Sequence, residues 1–106
     1  MVYFVRSFRF IGAKAQEAIG WALKVADYIN KKYDSNVEVL LNVTGIQSEI
    51  HWMAHGKSVS EIEHLFGKLL SDPEYKKILD ENAGMFVDGT LRDHYYRSVS
   101  QARGLV

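Results

Sequence analysis

The chain contains no cysteine and only one proline among its 106 residues. Without cysteine it can form neither disulfides nor thiolate metal sites, and its redox compartment is left open. It also lacks any run of about 18 apolar residues, which excludes a membrane-spanning helix. Basic and acidic residues balance at 13 each. A net charge of zero argues against a dominant electrostatic surface for nucleic acid.

Near the N-terminus, Arg6 and Arg9 interrupt an apolar stretch, and no small-residue cleavage site follows. We therefore expect no signal peptide, no membrane partner and a cytoplasmic protein. The length fits one domain, which we predict to span residues 1–99, with residues 100–106 as a short C-terminal tail.

The hydrophobic pattern alternates between the periods of strands and helices. Alternating apolar residues predict strands at 2–11, 37–44, 48–55 and 90–99, with a short turn at 45–47. A three- and four-residue apolar spacing predicts a helix at 13–33. Capping-box spacing starts a second helix at Ser58 or Ser60, with a buried stripe of Ile62, Leu65, Phe66 and Leu69. Asp72 and Pro73 start a third helix.

This order of elements predicts an α+β domain of the ferredoxin-like βαββαβ type. Four antiparallel strands would form one sheet, and the helices would cover one of its faces. The other face would carry too many apolar and aromatic side chains to remain in water as one patch. A homodimer that joins two such faces is therefore the expected assembly.

Two segments resemble the dimeric α+β barrel superfamily. They are residues 45–52, GIQSEIHW, and the step Asp72-Pro73-Glu74-Tyr75 after an amphipathic helix. The chain looks similar to NIPSNAP-like proteins and to antibiotic biosynthesis monooxygenases. The resemblance implies that two sheets close into a barrel across a dimer, and that a pocket lies between sheet and helices. The superfamily includes monooxygenases, isomerases, haem-degrading enzymes and members without known activity, so the resemblance implies a fold more than an activity.

Polar residues that alternation places on the uncovered sheet face are the candidate site. His51 is the candidate catalytic base, because it titrates near neutral pH, and Asn42 should lie beside it on the paired strand. Met53, His94 and Tyr96 complete the predicted ligand-binding set. Arg6 and Arg9 could converge on the same place and help to bind an oxyanion or enolate. A polar network that satisfies its own hydrogen bonds inside a dimer is the simpler interpretation.

The four histidines do not predict a metal site. His51 and His55 are four residues apart, which on a strand separates them by about 13 Å, too far for one ion. No glycine-rich phosphate loop is present either. We therefore predict neither a metal nor a cofactor.

Two functions remain open at the level of sequence. One is a small dimeric protein that binds a small hydrophobic or aromatic ligand or serves as an accessory protein. The alternative is a cofactor-independent monooxygenase or isomerase acting on a small aromatic or carbonyl compound. Polar side chains that converge in a closed apolar cavity would favour the enzyme. Whether the chain is an enzyme is therefore left open.

Overall fold

A computed structural model describes residues 1–100 of the chain. Residues 101–106, most of the predicted tail, lie outside the described part. The elements in chain order are β1 (Val2–Arg9), a 3-10 turn (Gly12–Lys14), α1 (Ala15–Tyr33), β2 (Glu38–Leu41), β3 (Glu49–Gly56), α2 (Val59–Leu70), α3 (Pro73–Asp80) and β4 (Arg92–Arg97). This confirms the predicted order, although each strand except β3 is shorter than predicted.

The four strands form one antiparallel sheet in the order β2-β3-β1-β4. β1 and β3 are therefore central, and β2 and β4 are the edges. All three helices lie on one face, so the predicted α+β class and ferredoxin-like arrangement are confirmed. No helix within residues 1–100 has both the length and the apolar character needed to cross a membrane.

The strand register decides which side chains the helices cover. Phe4 pairs with Ala54, and Phe8 pairs with Ile50. Both pairs point toward the helices, and Ile50 has no exposed surface. The predicted apolar stripe of α1 is buried against this face of the sheet. The alanines of the stripe allow the helix axis to approach the sheet closely. The buried residues of α1 are Ala18, Trp21, Ala22, Val25, Ala26 and Ile29.

The helix starts follow the capping residues. Ser58 Oγ accepts a hydrogen bond from the Glu61 backbone N–H at 3.2 Å, and the Glu61 carboxylate accepts one from the Lys57 N–H at 2.8 Å. Asp72 Oδ1 accepts from the backbone N–H groups of Glu74 and Tyr75 at 3.0 and 3.2 Å. These contacts satisfy backbone donors that the first turn of a helix leaves free. The first of the two alternative starts of α2 is therefore the one used.

Three sequence-based expectations about packing are wrong. α2 fully buries only Ile62 and Leu69, whereas Leu65 and Phe66 of the predicted stripe are half-buried. Alternation along residues 37–44 would place Leu41 with Val39 on the covered face, but Leu41 is 46% exposed, because β2 is a short edge strand. The predicted turn at 45–47 is part of a longer connection at 42–48.

Phe86 was expected on the buried side of α3 but lies beyond its end. α3 stops at Asp80, and Phe86 returns to the sheet as a single bridge to Phe10. Its ring stacks on Phe8 with the centroids 4.3 Å apart. The residue is buried as expected, but the loop after α3 and not the helix positions it.

Candidate functional site

The five predicted ligand-binding residues lie on the sheet face that no helix covers, here called the open face. On β3 and β4, alternation from the paired residues Ser7 and His51 assigns His51, Met53, His94 and Tyr96 to it. Asn42, just after β2, joins them through a hydrogen bond to His51. The open face as the register defines it comprises Tyr3, Val5, Ser7, Arg9, Glu38, Leu40, Glu49, His51, Met53, His55, Arg92, His94 and Tyr96.

His51 is held at both ring nitrogens. Its Nδ1 lies 2.6 Å from Ser7 Oγ, and its Nε2 lies 2.5 Å from Asn42 Oδ1. Because Asn42 Nδ2 donates to the Ile46 carbonyl at 2.6 Å, Asn42 Oδ1 is the acceptor toward His51. Nε2 therefore carries the proton in the neutral ring, and Nδ1 accepts from the Ser7 hydroxyl.

A buried carboxylate extends this network. Glu49 is only 5% exposed, and Arg92 Nη2 donates to its Oε2 at 2.6 Å. Its Oε1 lies 3.4 Å from both Asn42 Nδ2 and His51 Nε2. No buried side-chain nitrogen or oxygen within residues 1–100 lacks a partner. The network is thus satisfied within the chain, as a polar cluster that becomes covered must be.

The structure divides the predicted set into separate groups. Asn42 and His51 are in direct contact, and His94 stacks on Tyr96 with the ring centroids 6.1 Å apart. The two pairs belong to opposite halves of the sheet, with β1 between them. Arg9 shares the open face, but Arg6 pairs with Trp52 in the register and points to the helix side. The expected convergence of Arg6 with His51 is therefore wrong.

A cavity of about 440 Å³ lies on the opposite side of the sheet, between α1 and α2. Its floor is the helix-facing surface of β1 and β3, and its walls are apolar side chains of the two helices. None of the five predicted ligand-binding residues lines it. The apolar residues at its floor and walls are Phe4, Phe8, Trp21, Val25, Ile29, Trp52, Ala54, Ile62, Leu65, Phe66 and Leu69.

The cavity exists because α2 sits loosely on the sheet. A second pocket of about 350 Å³ borders α2 on the side of β4. The residues that line both pockets are Phe4, Arg6, Phe66, Leu69, Tyr75 and Leu79. On that side Tyr95 donates a 2.6 Å hydrogen bond to Glu63 and so fastens α2 to β4. Burial, followed by this hydrogen bond, raises the pKa of Tyr95 to about 12.

Arg6 and Tyr75 are two of the polar residues that line the cavity. Arg6 donates through Nε and Nη2 to both carboxylate oxygens of Asp93, at 2.8 and 2.9 Å. This hydrogen bonding to Asp93 raises the pKa of Arg6. Tyr75 is 9% exposed, and burial raises the pKa of its phenol, while the charge of Arg6 opposes that rise in part. Both groups therefore remain hydrogen-bond donors at neutral pH.

The alternation of β1 indicates on which face Arg6 lies. Arg6 occupies the apolar half of the β1 alternation, between Phe4 and Phe8. An arginine at such a position needs a carboxylate partner, and Asp93 supplies one from the neighbouring strand. Because the partner is 87 residues away, only the strand register identifies it.

One wall of the cavity is fixed by a polar junction between α1 and α3. Asp72 Oδ2 accepts hydrogen bonds from the Tyr28 and Tyr33 hydroxyls, both at 2.7 Å, and lies 3.0 Å from Lys32 Nζ. Burial of Asp72 acts to raise its pKa, but the hydrogen bonds from Tyr33, Tyr28 and Lys32 outweigh it and hold the pKa below its usual range. The hydrogen bond from Lys32 Nζ to the Tyr28 hydroxyl at 3.1 Å, together with the contact to Asp72, raises the pKa of Lys32.

Within residues 1–100, no three histidine, aspartate or glutamate side chains form a group that could hold a metal ion. His55 and His64 both border the cavity, but each is exposed at its rim.

No protein-family model matches the chain, and no curated protein matches it. Among solved structures, a NIPSNAP domain protein from Burkholderia xenovorans matches with a TM-score of 0.81 and 12% identity, over 96% of this chain and 98% of the other. Protein Atu4242 from Agrobacterium tumefaciens matches with a TM-score of 0.78 and 15% identity, over 98% and 96%. The chain shares its fold with these proteins.

A proposed antibiotic biosynthesis monooxygenase from Deinococcus radiodurans matches with a TM-score of 0.70 and 12% identity, over 96% of each chain. The resemblance stated from the sequence is thus confirmed at the level of the fold. Identities of this size speak for the fold alone, so the function has to be argued from the residues of this chain.

Proposed function

We propose that the chain is a homodimer that binds a small, largely apolar molecule in the cavity between α1 and α2. The observation that carries this proposal is the cavity itself. Its volume of about 440 Å³ falls within the range of about 300–1,000 Å³ that is typical of ligand pockets. Aromatic and aliphatic side chains form its floor and walls, and a few polar groups could orient a ligand.

Binding is favoured over catalysis because of where the titratable groups lie. The interior groups, Arg6 and Tyr75, are donors that keep their protons at neutral pH. A proton-abstracting base would have to be His51, which belongs to the other face of the sheet. Its restraint by Ser7 and Asn42 is the one observation that favours the alternative of a cofactor-independent monooxygenase or isomerase.

The dimer is proposed from the composition of the open face. Val5 and Met53 occupy its centre, and Tyr96 is 54% exposed at its edge. Apolar and aromatic side chains in such a continuous arrangement usually mark an interaction surface. The polar network around Glu49 already has all its partners, so a second copy could cover it without leaving an unpaired group.

A neutral fluorescent probe, N-phenyl-1-naphthylamine, tests the ligand site. We expect its fluorescence to increase with the wild-type protein and with Leu23→Trp, because Leu23 is 54% exposed and does not line the cavity. Leu65→Trp should abolish the increase by filling the cavity, provided that circular dichroism shows an intact fold. Equal binding by both variants would refute the cavity as the ligand site.

Sedimentation equilibrium at micromolar concentration tests the dimer. The wild type should sediment as a dimer, and Val5→Lys should dissociate it, because a lysine would be buried without a partner at the centre of the joined faces. Leu23→Lys places the same charge on the outer surface of α1 and should leave the dimer intact. A monomeric wild type, or a dimeric Val5→Lys variant, would contradict the proposal.

A further inference from the structure

The charge of the cavity interior is balanced before any ligand enters. Among residues 1–100, Arg6 is the one charged residue on the cavity floor, and Asp93 neutralises it through two hydrogen bonds. The remaining charged residues of the lining, Asp34, Glu61 and Lys68, are exposed at its rim. A molecule in the interior therefore meets no uncompensated charge.

Donors nevertheless remain free to bind a ligand. A guanidinium has five N–H groups, and Asp93 engages only two of those of Arg6. Nη1 of Arg6 makes no hydrogen bond to residues 1–100, and 33% of the side chain is exposed. Tyr75 lines the same cavity, and its hydroxyl likewise makes no hydrogen bond within that part of the chain.

The position of these donors is fixed. The Arg6 guanidinium carbon lies 5.6 Å from the ring centroids of both Phe4 and Phe66. These cation–π contacts and the two-point contact with Asp93 restrict the rotamers of Arg6. A ligand that lies against the aromatic walls would therefore meet donors whose direction is set in advance.

We infer that the cavity selects an uncharged apolar molecule that presents a hydrogen-bond acceptor to Arg6 and Tyr75, and that Asp93 determines this selectivity. The inference rests on the proposed ligand site and adds its charge preference. A carboxylate would lose its water in the apolar cavity, while the charge of Arg6 on the cavity floor is already paired with Asp93. A carbonyl or ether oxygen could accept hydrogen bonds from the free N–H groups without the cost of desolvating a charge.

Two probes that differ in charge and little in shape test this selectivity, namely 2-acetylnaphthalene and 2-naphthoate. Both tryptophans line the cavity, so quenching of intrinsic fluorescence reports binding directly. At pH 7 we expect the wild type to bind the ketone at least about tenfold more tightly than the carboxylate. Equal affinity, or a preference for naphthoate, would overturn the inference.

Asp93→Asn is the decisive variant. It keeps the size of the side chain but leaves the charge of Arg6 unpaired, so the affinity for naphthoate should rise at least about tenfold, with little change for the ketone. Asp88→Asn removes an exposed carboxylate that does not line the cavity and should change neither affinity. An unchanged naphthoate affinity in folded Asp93→Asn would refute the role of Asp93.

Arg6→Gln provides a second measurement that does not depend on the folding of Asp93→Asn. It removes the strongest donor and leaves Asp93 as an unpaired anion, so both probes should bind more weakly and naphthoate should lose more. Binding of the ketone unaffected by this change would contradict the inference. If neither probe quenches the wild-type tryptophans, the proposed ligand site itself fails, and that outcome is distinct from equal binding of the two.

Discussion

Replacement of Phe66 by alanine should destabilise the protein by only about 2 kcal/mol, although a fully buried phenylalanine typically loses about 3–5 kcal/mol on such a change. Phe66 and Leu69 both border the pockets on the two sides of α2, but Phe66 is only half-buried, so part of its side chain is already exposed. Much of the transfer and cavity penalty is therefore already present in the wild type. Its edge-to-face contact with Phe4, at 4.7 Å between centroids, accounts for about 1 kcal/mol of the loss.

The effect of Phe66→Ala should be smaller than that of Leu69→Ala. Leu69 is on the same helix but is 3% exposed, so its truncation should reach about 3 kcal/mol. The smaller side chain should thus be the more important one for stability. Both variants should be compared with the wild type by urea denaturation at one protein concentration, because dimerisation would make the apparent stability depend on concentration.

The test is which of the two variants loses more free energy of unfolding. If Phe66→Ala destabilises the protein more than Leu69→Ala, α2 packs more tightly on the sheet than the structure indicates. The cavity between α1 and α2 would then be closed in solution. Phe66→Leu serves as a control, since it keeps most of the apolar volume and should cost less than about 1.5 kcal/mol.

Two further predictions concern the ends of α2 and α3. Because the folded-state pKa of Asp72 is below its ordinary value of 3.8, its contribution to stability should be present above that pH and lost as the pH falls through the depressed pKa. Asp72→Asn should lower the melting temperature at pH 7 and make it less sensitive to acid, unlike Asp88→Asn; an equal acid sensitivity of wild type and Asp72→Asn would exclude this role. Gly56→Ala should also lower the melting temperature, because a Cβ there would lie 3.2 Å from Ile62 Cγ1 and press on the first turn of α2, whereas an unchanged melting temperature would show that α2 yields at no cost.

The elements that could be predicted are those whose signal is local. Ser58 and Asp72 start helices through contacts with residues two or three positions away, so sequence spacing suffices to find them. Alternation likewise placed Asn42 and His51 on one face, and the hairpin register brings them into contact. Whether the open-face residues bind a ligand stays a prediction.

The features that could not be predicted depend on distances between elements. Phe66 fits the apolar stripe of α2 as well as Leu69 does, but the separation of the helix from the sheet decides which of them is buried. The cavity is a consequence of that separation and has no motif of its own. Arg6 was assigned to the wrong group although its alternation with Phe4 and Phe8 indicates the covered face; its partner Asp93, 87 residues away, follows only from the pairing of β1 with β4.

α2 is less firmly anchored to the sheet than α1. α1 is anchored by six buried residues and by the junction at Asp72, whereas α2 contributes two buried side chains. Segments with few buried apolar contacts open at a lower free energy than the whole domain unfolds. α2 is therefore the helix expected to separate from the sheet in brief excursions while β1, β3 and α1 stay assembled. Such local opening would give an apolar molecule a route to the cavity without loss of the native core.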